Sequence, residues 1–124
     1  MGIKSFLSLP FARFIVSKNK RWKKNAVKAQ EKTMLSLVKK AKNTSFGKEH
    51  LFSKIKNYED FKRHVPIRDY EKIKPYIKNI IDGEKNVLWP KRPIYFCKTS
   101  GTTSGTKYIP ISKESMTYHI IAER

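Results

Sequence analysis

The sequence predicts an α/β fold that is mainly helical to about residue 85 and then forms a β-strand, a loop, a second β-strand and a helix. Two observations predict it. Apolar residues recur at the three-and-four spacing of a helix face through the first two thirds of the chain. Near the C-terminus, short β-branched and aromatic stretches flank a run of hydroxyl residues and glycines. A length of 124 residues suits one small domain, or the front part of a larger one.

The first segment, residues 1–20, is predicted to be an amphipathic helix. Its apolar positions are Ile3, Phe6, Leu7, Phe11, Phe14 and Ile15. Pro10 and Arg13 interrupt this apolar stretch, so it does not match a signal peptide. Lysines follow it, so the helix either packs against the rest of a larger domain or lies on an anionic membrane. Packing is the interpretation we favour.

Residues 21–85 form a predicted helical region. The apolar spacing indicates a helix from about Arg21 to Lys42, and the sequence Asn43–Gly47 is expected to stop it. Asn57 is a good start for a short helix, which should end before Pro66 because a residue that precedes proline is pushed out of the helical region.

A further helix is predicted after Asp69, a plausible N-cap, and it should close at Asp82 and Gly83. Pro75 falls inside this helix, which predicts a kink or a restart there. Its expected buried stripe contains Ile73, Tyr76, Ile77, Ile80 and Ile81.

Residues 86–124 are predicted to form the strand–loop–strand–helix part. The strands are expected at Pro93–Lys98 and Lys107–Ile111, and Pro110 should place the second strand at an edge or end its pairing. Ser112 is a candidate N-cap for a last helix, which reaches Arg124 with no stop signal. A chain that ends inside a helix is expected to be truncated, and a C-terminal domain is expected to be absent.

The net charge of +18 raises the possibility of nucleic-acid or anionic-membrane binding. However, the lysines are spread along the chain, and 22 Lys against 6 Arg is a poor composition for reading bases. No stretch is long enough to span a bilayer, so we expect neither nucleic-acid binding nor stable membrane insertion. The single cysteine, Cys97, excludes an intramolecular disulfide framework and favours a cytoplasmic setting. No histidine or cysteine cluster has metal-ligand spacing, so no metal ligands are predicted.

The run between the two predicted strands carries the functional prediction. It consists of Thr99, Ser100, Gly101, Thr102, Thr103, Ser104, Gly105, Thr106 and Lys107. Glycines at 101 and 105 permit positive φ, and successive N–H groups then form an anion-binding concavity. The hydroxyls donate to phosphate oxygens and Lys107 adds a positive charge. The glycine spacing does not match a Walker loop or a dinucleotide fingerprint. A flexible hairpin tip is the alternative.

The same run, followed by Tyr108-Ile109-Pro110, resembles the first nucleotide motif of the adenylate-forming superfamily, which includes firefly luciferase and the acyl-CoA synthetases. More narrowly, the chain resembles the auxin-responsive promoter family of acyl-acid amido synthetases, in its bacterial form. The upstream sequences that carry this resemblance are Asn43–Lys48, Tyr58–Phe61, Val65–Ile67, Tyr70-Glu71, Pro75–Ile77 and Gly83-Glu84.

This resemblance implies an N-terminal fragment of an enzyme that uses ATP and Mg²⁺ to activate a carboxylic acid as an acyl-adenylate. An amino acid amine would then take the acyl group, so the implied partners are these two small molecules and the rest of the enzyme's own polypeptide. All nine residues of the run, Thr99 to Lys107, become candidates for binding the ATP phosphates. The catalytic residues stay unassigned, and this chain is not expected to complete the reaction alone. The alternative function is that of a non-catalytic basic module that binds anionic membrane or nucleic acid.

Overall fold

The computed structural model describes residue 10 and residues 12–17, 25–99 and 105–122. Its contacts divide the chain into two units, residues 1–34 and 35–124. In the first unit, residues 12–17 are helical and expose Phe14, Ile15 and Val16. The remainder of the predicted helix over 1–20 lies outside the described residues, apart from Pro10, which is also helical. The predicted division of the chain into segments that end at residues 20 and 85 stays a prediction.

Helix α1 spans Ala26–Ala41, close to the predicted limits of about Arg21 and Lys42. The predicted start at residues 21–24 lies outside the described residues. In the second unit, Val38 and Ala41 near the end of α1 are buried. They belong to a core that also contains Phe52, Ile55, Ile77, Ile80, Val87 and Ile111.

Two short elements follow that the sequence pattern did not predict. Asn43–Gly47 does stop α1, but helix α2 begins at once and spans Ser45–Glu49. A single 3₁₀ turn, Phe52–Lys54, comes next and contacts α2. Elements of five and three residues are too short to show a helical period, so only their caps could have indicated them.

Two predicted helices are confirmed, together with their caps. Helix α3 spans Tyr58–His64 and helix α4 spans Tyr70–Ile81. The Asn57 side chain accepts a hydrogen bond from the Asp60 N–H (2.8 Å), and the Asp69 side chain accepts one from the Lys72 N–H (3.0 Å). Each cap thus satisfies an N–H group that has no partner inside its helix.

Helix α4 differs from the prediction at two residues. It runs through Pro75 without a restart, because the proline removes one hydrogen bond while the turn after it is held by the buried Ile77 and Ile80. The predicted buried position of Ile81 is wrong. Its side chain is 51% exposed, since it lies on the solvent side of the last turn.

The C-terminal part contains an antiparallel pair of strands and a helix. Strand β1 spans Tyr95–Thr99, shifted by one to two residues from the predicted Pro93–Lys98, and strand β2 spans Lys107–Ile111 as predicted. Pairing continues through Pro110, which lies opposite Phe96, so this proline does not end the ladder. Both strands of a two-stranded sheet have an open edge, where a proline is tolerated.

Helix α5 spans Lys113–Ala122 and is capped by Ser112, as predicted. The Ser112 hydroxyl accepts a hydrogen bond from the Ser115 N–H at 3.1 Å. A backbone hydrogen bond at Glu114, followed by one from the Trp89 ring, holds the pKa of the Glu114 carboxyl below its usual value. Among the described residues, no helix is long and apolar enough to cross a membrane.

Candidate functional site

The structure places the two ends of the predicted phosphate-binding run side by side. Thr99 is the last residue of β1 and Lys107 is the first residue of β2, and the register pairs them directly. Directly opposed residues of an antiparallel pair have their side chains on the same face of the sheet. Both residues are half-buried. Ser100, Gly101, Thr102, Thr103 and Ser104 lie outside the described residues.

Gly105 has the backbone conformation that the sequence predicts. Its φ is +75°, in the left-handed region that favours glycine. A Cβ built at this position would meet no atom within 4 Å among the described residues. The described residues therefore leave the backbone at Gly105 uncrowded, as a loop that admits an anion requires. Gly101, the other glycine of the prediction, lies outside the described residues.

Helix α4 holds the Lys107 side of this hairpin. The helix contacts β2, and its first residue, Tyr70, reaches the strand with its side chain. The Tyr70 hydroxyl accepts a hydrogen bond from the Tyr108 N–H at 2.8 Å and lies 3.5 Å from the Tyr108 carbonyl oxygen. The Lys107 ammonium nitrogen lies 5.6 Å from the centroid of the Tyr70 ring, within the range of a cation–π contact.

The segment between α4 and β1 supports the hairpin from the other side. Gly83, with φ of +101°, lies just beyond the end of α4, and its carbonyl accepts a hydrogen bond from the Arg92 guanidinium. The Trp89 indole N–H donates to the Glu114 carboxylate at 3.2 Å, which joins this segment to α5. The Ile94 N–H donates to the Ile111 carbonyl at 2.8 Å and extends the sheet.

The sequence Asn43–Lys48, one of the stretches that carry the resemblance, forms a buried polar joint. The Thr44 hydroxyl donates to the Ala41 carbonyl at 2.7 Å and accepts from the Gly47 N–H at 3.0 Å. It therefore connects the end of α1 to the start of α2, and Thr44 is only 1% exposed. The N–H groups of Ser45 and Phe46 donate to the carbonyls of Asn86 and Val87, at 2.8 and 3.0 Å. These hydrogen bonds fix the segment around Asn86 and Val87, which leads to β1.

A second cluster, which we call the Arg68 cluster, surrounds the Phe46 ring and consists of Glu49, His50, Arg68 and Tyr76. The Arg68 guanidinium donates to His50 Nε2 at 2.8 Å, while His50 Nδ1 lies 2.9 Å from the Phe46 carbonyl. Because arginine has no acceptor, the guanidinium is the donor in the contact with His50 Nε2. His50 is 4% exposed and its ring stacks on the Phe46 ring with the centroids 4.0 Å apart, so it packs inside this cluster.

Tyr76 completes the Arg68 cluster. Its hydroxyl donates to the Glu49 carboxylate at 2.5 Å, and Glu49 also lies 3.8 Å from the Arg68 guanidinium. Burial, followed by the hydrogen bond to Glu49, raises the pKa of the Tyr76 phenol. Most polar groups of the cluster are paired with one another, although Arg68 Nε is buried with no hydrogen-bond partner among the described residues, so the cluster chiefly positions the chain.

The residues present suit the phosphates of ATP better than a directly bound metal. Thr99, Gly105 and Lys107 supply a hydroxyl, an accessible backbone and a positive charge at one end of the hairpin. In contrast, no three His, Cys, Asp or Glu residues within the described ranges lie close enough together to hold a metal ion.

The comparisons with known proteins identify the family. The sequence profile of the GH3 family N-terminal domain matches residues 16–123. The chain belongs to the GH3 family. This confirms the family that the sequence motifs indicated, and the curated relatives that the chain matches include indole-3-acetic acid-amido synthetases and jasmonoyl–L-amino acid synthetases.

Three relatives illustrate the extent of the similarity. An indole-3-acetic acid-amido synthetase of Arabidopsis thaliana, GH3.15, is 31% identical over 98 residues, which cover 77% of this chain and 16% of the relative. The jasmonoyl–L-amino acid synthetase JAR4 of Nicotiana attenuata is 30% identical over 95 residues, which cover 75% of this chain and 16% of the relative. A probable indole-3-acetic acid-amido synthetase of Oryza sativa subsp. japonica, GH3.13, is 40% identical over 58 residues, covering 45% and 12%. The chain thus spans about one sixth of the length of the first two relatives.

Sequence reasoning did not identify Tyr70 as part of the hairpin's surroundings. Its contact with Tyr108 joins positions 38 residues apart, and no local pattern signals such a pair. The available signal was indirect. Asp69 was predicted to cap α4, which places the next side chain at the exposed first turn of a helix, and the Tyr70-Glu71 pair carried part of the family resemblance.

Proposed function

We propose that this GH3 chain supplies the ATP-phosphate-binding hairpin of an acyl-acid amido synthetase. The loop and its two ends bind the β- and γ-phosphates. They consist of Thr99, Ser100, Gly101, Thr102, Thr103, Ser104, Gly105, Thr106 and Lys107. The observation that carries the proposal is the hairpin itself. Its register sets Thr99 opposite Lys107, and Gly105 has positive φ two residues before the lysine.

The proposed reaction begins with activation of a carboxylic acid. A carboxylate oxygen attacks the α-phosphorus of ATP, the bond from that phosphorus to the bridging oxygen breaks, and pyrophosphate leaves. The amine of an amino acid then attacks the acyl carbon, AMP leaves with the oxygen it gained, and an amide forms as the amine loses a proton. Mg²⁺ would neutralise phosphate charge during the first step.

The part of this chain is to hold the leaving pyrophosphate. Negative charge grows on pyrophosphate as the bond breaks, so donors placed around it in advance lower the barrier. Lys107 supplies a positive charge and Thr99 a hydroxyl, while Gly105 has the left-handed backbone that lets successive N–H groups form an anion-binding concavity. The residues that bind adenine, the acid and the amine are not assigned to this chain.

The substrate classes are proposed from the relatives. Their names specify indole-3-acetic acid in one case and a jasmonoyl group joined to an L-amino acid in the other. We propose a small carboxylic acid and an amino acid for this protein, acting in the cytoplasm where ATP is present, and we do not assign which acid it takes.

The test is ATP–pyrophosphate exchange, measured on the protein expressed from its complete open reading frame with a panel of small carboxylic acids. Replacing Lys107 with alanine should slow the exchange about ten- to hundredfold, because a charge-assisted hydrogen bond contributes about 1.5–3 kcal/mol. Lys98→Ala is the matched control. It is one position from Thr99 on the same strand but on the opposite face, so its exchange rate should be close to that of the unmodified protein.

An equal effect of the two substitutions would contradict a specific role for Lys107. Exchange that is absent with every acid, together with salt-sensitive binding to anionic vesicles or nucleic acid, would instead favour the basic-module alternative.

A further inference from the structure

We propose that Tyr70 is a positioning residue that orients Lys107, and with it the base of the loop, toward the phosphates. This inference rests on the proposed function and adds to it a residue outside the loop. Tyr70 itself touches no reacting atom in this account. It acts through the lysine and through the backbone of β2.

The first observation is that Tyr70 makes two contacts with adjacent residues of β2. Its hydroxyl accepts from the Tyr108 N–H at 2.8 Å, and its ring lies beneath the Lys107 ammonium, 5.6 Å from the centroid. The hydroxyl thus fixes the strand immediately after Lys107, while the ring restricts where the lysine side chain points. The Tyr70 side chain thus controls both the backbone of β2 and the position of the Lys107 charge.

The second observation is that Tyr70 is itself held firmly. It is the first residue of α4, directly after Asp69, whose side chain caps the helix through the Lys72 N–H at 3.0 Å. Two turns later, Ile77 and Ile80 are buried in the core, and the helix contacts β2. The Tyr70 ring therefore presents a fixed surface to a mobile lysine.

The physical consequence concerns lysine entropy. A lysine carries its charge on a flexible stem, so an unrestrained Lys107 would lose rotamer freedom when it binds phosphate. Contact with the Tyr70 ring removes part of that freedom beforehand. The expected gain in phosphate affinity corresponds to one cation–π contact at a partly exposed site, about two- to fivefold.

The experiment measures binding of pyrophosphate alone to the full chain by titration calorimetry. Tyr70→Leu, which removes both the ring and the hydroxyl, should weaken binding about five- to twentyfold. Tyr70→Phe keeps the ring and removes only the hydroxyl, so it should weaken binding about two- to tenfold, the effect of one hydrogen bond. Because the phenylalanine variant preserves the packing, it keeps the test decisive even if the leucine variant does not fold.

Tyr58→Leu is the matched control. Tyr58 is also the first residue of its helix, and the Lys62 ammonium lies 5.1 Å from its ring centroid, but this pair is on α3 and α3 does not belong to the hairpin. Its removal should leave pyrophosphate affinity unchanged.

A readout independent of ligand follows the lysine directly. The ring current of Tyr70 should shift the ε-methylene protons of Lys107 upfield in the NMR spectrum of the free chain. Tyr70→Phe should retain that shift, and Tyr70→Leu should abolish it. If Tyr70 only supported the fold, the Lys107 shift would not have to follow the presence of the Tyr70 ring in this way.

A double-mutant cycle separates the possible failures. The inference predicts that, once Lys107→Ala is present, the effect of Tyr70→Leu falls to at most the two- to tenfold effect of losing the hydrogen bond to Tyr108. It is overturned if Lys107→Ala weakens binding while Tyr70→Leu does not, or if the Tyr70→Leu effect persists in full without the lysine. If the unmodified chain does not bind pyrophosphate, or if Lys107→Ala binds it equally well, the proposed function is overturned and this inference with it.

Discussion

Replacing Gly47 with alanine gives the sharpest test of how this fold is assembled. A Cβ added at Gly47 would lie 2.1 Å from the Ala41 carbonyl oxygen and 3.0 and 3.1 Å from two further backbone carbons, whereas ordinary contacts begin near 3.4 Å. All three neighbouring atoms are backbone, so no side chain can rotate away. The end of α1 and the start of α2 would have to separate by more than 1 Å.

The magnitude of the effect follows from three contributions. Overpacking of a tight site costs about 1–3 kcal/mol. Separating the two helices also stretches the buried hydrogen bonds of Thr44 to Ala41 and Gly47, each contributing about 1 kcal/mol. Alanine returns about 1 kcal/mol through its better helix propensity. The net destabilisation should be about 2–4 kcal/mol, a large part of the stability of a typical domain.

Urea unfolding followed by circular dichroism measures this effect. Lys48→Ala is the matched control, because Lys48 is the next residue of the same helix and is exposed, and its substitution should change the free energy of unfolding by at most about 0.5 kcal/mol. The direction of the change in the free energy of unfolding tests whether Gly47 and Ala41 approach each other this closely. Without the close approach of Ala41, Gly47→Ala would stabilise the helix, so a variant as stable as the unmodified chain, or more stable, would refute the reasoning.

Two further predictions concern the hydrogen-bonded side chains of Thr44, which is buried, and Tyr76, which is half-buried. Thr44→Val should lower the free energy of unfolding by about 1–3 kcal/mol, because it leaves the Gly47 N–H without its cap, and Thr44→Ser should lower it by less in the same urea experiment. The Tyr76 phenol should titrate above the ordinary value of 10.0, as the difference in ultraviolet absorbance between the unmodified chain and Tyr76→Phe can show. Since its folded-state pKa is raised, the stability linked to Tyr76 is fully present below about pH 10 and is lost as the pH rises through the folded-state pKa. A Tyr76 titration at or below 10.0 would contradict the contact with Glu49.

Local signals in the sequence predicted the helix starts well. Asn57, Asp69 and Ser112 each accept a hydrogen bond from an N–H three residues later, so the cap and its partner lie within one turn. The two strands and the conformation of Gly105 were predictable for the same reason, because β-branched and aromatic composition and glycine placement are properties of a few neighbouring residues.

Predictions failed where the outcome depended on distant parts of the chain. The exposure of Cys97 was not predicted, and it reflects a strand that pairs with a single neighbour in the described sheet. The contact of Arg68 with His50 joins positions 18 residues apart, and Tyr70 meets Tyr108 across 38 residues. Neither hydrophobic periodicity nor a helix cap indicates such pairs. The residues that position Lys107 could therefore be identified only from the structure.

The most direct test of the central claim is to map ATP binding on the full chain by backbone amide NMR. The account predicts chemical-shift changes on addition of ATP that are concentrated in Thr99–Lys107, include Gly105 and extend to Tyr108, whose N–H is held by Tyr70. Changes spread over the exposed lysines of α1, or their absence from the hairpin, would show that ATP meets only the general positive charge of the chain and would contradict the assignment.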